Sequence, residues 1–117
     1  MENEKVFAMR FGDVYRALIN KTLRKGRTRE EADAVIAWMT GYTPERLSSL
    51  ADSDLTYGDF FRHAPRLHPN REKIAGVVCG VRVEAVADPL MREIRRLDKL
   101  IDELAKGKPL EKICRAT

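Results

Sequence analysis

The sequence predicts a mainly α protein: a compact bundle of about five to seven short helices in a single domain over residues 1–117, with room for one short two-stranded pairing. Three observations carry this. Apolar residues recur at steps of three and four. Threonine or aspartate stands directly before most of these runs. Glycine or proline closes them.

Taken in order, the first stripe is Phe11, Val14, Tyr15, Leu18 and Ile19, one face of a helix that Gly26 stops after Lys25. Thr28 and Glu31 have the spacing of a capping box, and they open a helix through residue 40. Its segment Ala34-Val35-Ile36-Ala37-Trp38-Met39 is apolar on every side, which predicts a central helix with Trp38 in the core. Gly41 ends it. Thr43-Pro44 pairs a cap with a first-turn proline and starts another helix, with Leu47 and Leu50 on its inner face. Thr56 caps a short helix carrying Phe60 and Phe61, and Ala64-Pro65 stops it. Residues 65–70 form a loop, after which His68 or Asn70 acts as a cap.

Residues 71–86 carry two patterns at once. Ile74 to Val81 reads as a buried helix, with Gly76 and Gly80 four apart on one face. Val81 to Val86 alternates as a strand does, and its partner would be the alternating Phe7, Met9 and Phe11. The expectation is helix through Gly80, then an extended stretch. Asp88-Pro89 opens the longest helix, residues 88–106. Leu90, Ile94, Leu97, Ile101 and Leu104 form a heptad seam on it, widened by Met91 and Leu100. That seam is either the spine of the chain's own core or a homodimer surface. Glu93 to Arg96 and Asp102 to Lys106 have ion-pair spacings. Gly107 closes the helix and Pro109 begins a last helical turn.

Composition narrows the functional classes. A net charge of +4 is mildly basic, a basis for weak contact with polyanions. The start, Met1-Glu2-Asn3-Glu4-Lys5, is polar and leads into no secretory h-region. The longest uncharged apolar run, Ile74 to Val81, falls far short of a membrane span. Cys79 and Cys114 make neither a disulfide framework nor a zinc pattern. The expected setting is the reducing cytoplasm, with no membrane, no cofactor and no metal.

Few residues point to chemistry. Cys79 lies in G-V-V-C-G-V-R-V-E, residues 76–84. A reactive thiolate needs a cation, a base or a helix N-terminus beside it, and its neighbours are valines and glycines. It is therefore expected to be a small apolar core filler, with a nucleophilic role using His63 or His68 as base kept as the enzymatic alternative. The two histidines lack the ligand set of a zinc site and are expected on a surface loop. The two glycines lack the flanking residues of a phosphate loop. Residues 52–63 suggest a calcium loop but place Tyr57 where glycine is required and His63 where the bidentate glutamate belongs. The stretch 21–29 carries Lys21, Arg24, Lys25, Arg27 and Arg29 and no acid. It would contact phosphates, with Trp38, Tyr42 and Tyr57 as stacking rings where exposed.

The segments K-G-R-T-R-E-E (25–31), W-M-T-G-Y-T (38–43), H-P-N-R (68–71), G-V-V-C-G-V-R-V-E (76–84) and the long run from Asp88 to Ile113 stand in one order that resembles an uncharacterised bacterial family, domain of unknown function 2200. The resemblance spans nearly the whole chain. It implies a single domain in a bacterial cytoplasm and brings no catalytic residue or cofactor with it. The functional expectation is a small binding or interaction module without catalysis, self-associating through the 90–104 seam. A basic nucleic-acid-associated protein and a small Cys79 enzyme are the alternatives.

Overall fold

In a computed structural model, which describes residues 2–115, the chain folds as seven α-helices and one two-stranded antiparallel hairpin. The helices are α1 (Glu2–Ala8), α2 (Phe11–Arg24), α3 (Arg29–Thr40), α4 (Pro44–Ala51), α5 (Tyr57–Arg62), α6 (Pro89–Ala105) and α7 (Leu110–Ile113). The strands β1 (Val77–Val78) and β2 (Val81–Arg82) lie between α5 and α6, flanked by 3₁₀ turns at Pro69–Lys73 and Val83–Ala85.

The punctuation works as the sequence predicts. Glu31 N–H donates to Thr28 Oγ1 at 3.1 Å and Thr28 N–H donates to Glu31 Oε1 at 2.9 Å, a complete capping box on α3. Thr43, Thr56 and Asp88 cap α4, α5 and α6 through Arg46, Asp59 and Met91 N–H groups. Gly41 ends α3 at φ 84°, and a β-carbon there would meet the Arg66 backbone nitrogen at 2.7 Å, so both conformation and space call for glycine. His68 caps the first 3₁₀ turn, its Nδ1 accepting from Asn70 N–H at 3.0 Å.

α6 is the spine. Leu97, Leu100, Ile101 and Leu104 are fully buried, and Ile94 is 2 % exposed. Of the heptad seam, only Leu90 is half-exposed. The seam lies in the chain's own core at Ile94, Leu97, Ile101 and Leu104. α3 packs on α6 with Ala32, Val35, Ile36 and Met39 inward. Unlike the all-round burial expected of it, α3 has an outer face, where Ala34 is exposed and Trp38 is half-buried. At the other end Phe11, Tyr42, Tyr57, Phe60 and Phe61 form an aromatic cluster, with Phe11 and Phe60 stacked at 4.1 Å. The Tyr42 hydroxyl donates to Phe60 O at 2.7 Å and is satisfied there.

Two expectations fail in the extended parts. Phe7 belongs to α1, and the extended residues around Arg10 pair with Thr56, not with residues 81–86. Phe11 N–H donates to Leu55 O at 2.8 Å and Tyr57 N–H to Met9 O at 2.7 Å. Residues 74–81 are not helical. Val77 pairs with Arg82 and Val78 with Val81 around the two-residue turn Cys79-Gly80. Both turn residues have positive φ, 51° and 74°, the signature of the type I′ turn whose twist matches a hairpin. The hairpin is tied to α6 by Lys99 Nζ, which donates to Val77 O at 3.2 Å. A largely buried ion network anchors the preceding segment: Glu93 accepts from Arg71 Nε at 2.9 and 3.0 Å and from Arg96 at 3.0 Å.

Candidate functional site

The residues singled out in the sequence do not converge. Cys79 stands exposed at the hairpin tip, so the core-filler expectation is overturned. The two-residue turn puts its side chain in solvent, where an apolar sequence neighbourhood gives it no cover. Among the described residues no hydrogen bond joins it to His63 or His68. His63 is exposed at the end of α5. His68 stacks on Trp38 at 4.5 Å and uses Nδ1 as a cap, which leaves Trp38 and His68 as structural partners. Tyr57 is buried and offers no stacking surface, and Tyr42 is buried but for one ring edge.

The basic stretch divides. Arg27 forks onto Glu31 at 2.8 and 3.1 Å and also donates to Leu104 O and Lys108 O at 3.1 and 3.0 Å. It therefore stitches the start of α3 to the end of α6. The guanidinium and the Thr28 N–H hold the Glu31 carboxyl down at about 2. Arg29 lies 5.6 Å over the Tyr15 ring and 3.7 Å from Asp33. Lys21 pairs with Asp102 at 3.5 Å. Arg24 and Lys25 are exposed and make no ion pair among the described residues.

What the fold does assemble is a surface cleft of about 420 Å³ between α4 and α5. The linker Gly41–Thr43 forms one wall, Arg46 and Leu50 of α4 a second, and Leu55, His63 and Pro65 the rest. Arg46 and Leu50 share a face because they are four apart on a helix. Leu50 and Leu55 are half-buried, while Arg46 and His63 are exposed. The result is an apolar floor with one exposed guanidinium and one imidazole at the rim. Because the Tyr42 hydroxyl is occupied by Phe60 O, that wall presents a ring and not a hydrogen-bonding group. Of this set, sequence reasoning singles out His63 as a base and Tyr42 as a stacking ring. The sequence places Leu50 on the inner face of α4, and its helical spacing from Arg46 is the one signal for the cleft.

The crystal structure of the uncharacterized protein SP1917 is similar to this chain, with 51% sequence identity, a TM-score of 0.90, and coverage of 94% of this chain and 90% of that one. No curated protein matches the chain. No helix among the described residues is long and apolar enough to cross a membrane. The family profile described as an uncharacterized protein conserved in bacteria matches residues 5–115, and the chain belongs to this family, DUF2200.

Proposed function

We propose that the protein is a binding module without catalysis, working in the cytoplasm, and that the α4–α5 cleft receives a leucine-sized apolar group carrying a carboxylate, as at the end or acidic turn of a partner peptide. One observation carries this reading: Arg46 and His63 rim a floor of Leu50, Leu55 and Pro65 in one cleft. Apolar clefts with a few convergent polar groups are the usual form of ligand sites. A guanidinium at the rim selects a planar anion. The free thiols of Cys79 and Cys114 fit a reducing compartment.

The test is an NMR titration of the protein with N-acetyl-leucine as probe. The expected result is roughly millimolar binding, with shifts concentrated on the Leu50 and Leu55 methyl groups. Arg46→Gln weakens it, and the uncharged N-acetyl-leucine amide binds less well. Equal binding of acid and amide, or shifts scattered over the surface, would overturn the proposal.

A further inference from the structure

A second surface, at the C-terminal end of the long helix, carries a different chemistry. We infer that the lysine cleft formed by the end of α6, the Gly107 turn and α7 binds the phosphate backbone of a nucleic acid. The cleft has a volume of about 440 Å³ and is lined by Lys99, Lys106, Lys108 and Lys112. The residues come from three consecutive pieces of chain, and Gly107 makes their assembly possible. Its φ of 95° reverses the backbone, so that Lys106 and Lys108 stand on either side of the turn.

Two carboxylates, Asp102 and Glu103, also line the cleft, and both are held from its edges. Asp102 pairs with Lys21 at 3.5 Å as well as with Lys106 at 3.0 Å. Glu103 takes a two-pronged bond from Arg115 at 2.8 and 3.0 Å, with Lys108 farther off at 3.6 Å. The acids therefore keep a cation when Lys106 and Lys108 turn to another anion. Lys106 is free to do so, with its side chain 74% exposed. Lys112 is exposed and makes no ion pair among the described residues; Glu111 beside it does not line the cleft.

Arg27, itself neutralised by Glu31, brings a further lysine to this surface. Its bonds to Leu104 O and Lys108 O bring the loop after α2, with exposed Lys25, against the Gly107 turn. The positive surface thus runs on past the cleft. A small phosphorylated metabolite would need its cations gathered around one point. A track of flexible ammonium groups suits a repeating phosphate chain, which lysines contact as point charges and from which they release counterions.

The probe is a fluorescein-labelled duplex DNA of about 20 base pairs, read by anisotropy from roughly 50 to 200 mM NaCl. Wild type is expected to bind near 10 μM at the lowest salt, with a slope of log K against log salt of about −3, as for three neutralised phosphates. Lys106→Gln/Lys108→Gln/Lys112→Gln weakens binding at least about tenfold and flattens the slope by more than half. Lys5→Gln/Arg66→Gln/Lys73→Gln removes the same charge elsewhere and leaves both unchanged within about twofold. Lys112→Glu alone, which breaks no ion pair among the described residues, is expected to lose several-fold and stands in if the triple variant unfolds. Equal losses in the two triple variants would overturn the inference. So would no binding at the lowest salt, a fall in Tm with unchanged affinity, or binding to phosphatidylserine vesicles in place of DNA.

Discussion

The α3–α6 frame and the hairpin segment at residues 74–86 are built on opposite principles. In the frame, local and global signals agree. The caps sit where the helices begin, and the apolar faces are those that meet. In the hairpin segment they conflict. Val77, Val78 and Val81 are apolar, yet Val77 is 48% exposed and only Val78 of the three is buried. The segment is not helical there, and Gly76, Cys79 and Gly80 all adopt positive φ. The contrast teaches that an apolar run reports burial only where the backbone can present one face. A run broken by left-handed residues turns half of its side chains outward.

The largest effect expected from this contrast is in packing. Leu97 is fully buried at the centre of α6, and truncation to alanine removes apolar contacts and leaves a cavity. Leu97→Ala should cost about 2–5 kcal/mol. Val81→Ala, on the half-exposed strand, should cost less than about 1 kcal/mol. Urea unfolding of the two variants measures the difference, and comparable losses would mean that the hairpin belongs to the frame after all.

A smaller difference separates the two regions in their response to pH. In the frame, the buried Tyr15 hydroxyl donates to Asp33 Oδ1 at 2.6 Å and joins α2 to α3. Burial, reinforced by the Asp33 carboxylate and opposed by the Arg29 guanidinium, pushes the phenol up to about 12. The unfolded chain releases this proton near the usual value of about 10, two steps before the folded one. The resulting stability is full below that value and falls as pH rises from about 10 to 12, by on the order of 2 kcal/mol. Tyr42 and Tyr57, also raised by burial, add losses of the same sign. The contribution of Tyr15 is therefore the excess alkaline loss of wild type over Tyr15→Phe. The hairpin segment responds at the other end of the scale. Glu84 accepts from Gly76 N–H at 3.0 Å, which lowers its carboxyl. Stability from that bond is present above the ordinary glutamate value and is lost as pH falls through the lowered one. Unfolding curves of wild type and Tyr15→Phe at pH 9 and 11.5 check the frame, and parallel losses would remove Tyr15 from the account.

The frame was legible in the sequence because its signals are short-range. Thr28 with Glu31, Thr43-Pro44 and Asp88-Pro89 each need only three or four residues to be read, and each caps a helix. The α6 seam was legible as apolar periodicity, whereas its choice between core and dimer needed the positions of α2, α3 and α5. The sites were less legible for the same reason. His63 reaches Leu50 and Leu55 only through the turn after α4, and Arg27 reaches Lys108 across most of the chain. The basic stretch 21–29 looked free of acids because its partners, Asp102 and Glu31, lie outside it or at its edge. The lysines of residues 99–112 were hidden by acids interleaved in sequence, which the fold ties to Lys21 and Arg115.

The hairpin itself had a local signal of its own. Two valines, two residues ending in glycine, then Val-Arg is the pattern of a two-residue turn, and Cys79 in the place of asparagine or aspartate disguised it. Asparagine tolerates the left-handed region better than cysteine does. Cys79→Asn should therefore stabilise the protein by about 0.5–1 kcal/mol, a rise in Tm of a few degrees at this chain length. The thiols supply an independent readout. Cys79 at the tip should react with Ellman's reagent in the native state as fast as it does after unfolding. Cys114 is half-buried, and burial raises its thiol, so it should react slowly until the chain opens. Cys79→Asn should then abolish the fast phase and leave the slow one. A native protein with two slow thiols, together with a loss of stability in Cys79→Asn, would put Cys79 back inside the core and break the distinction between the two regions.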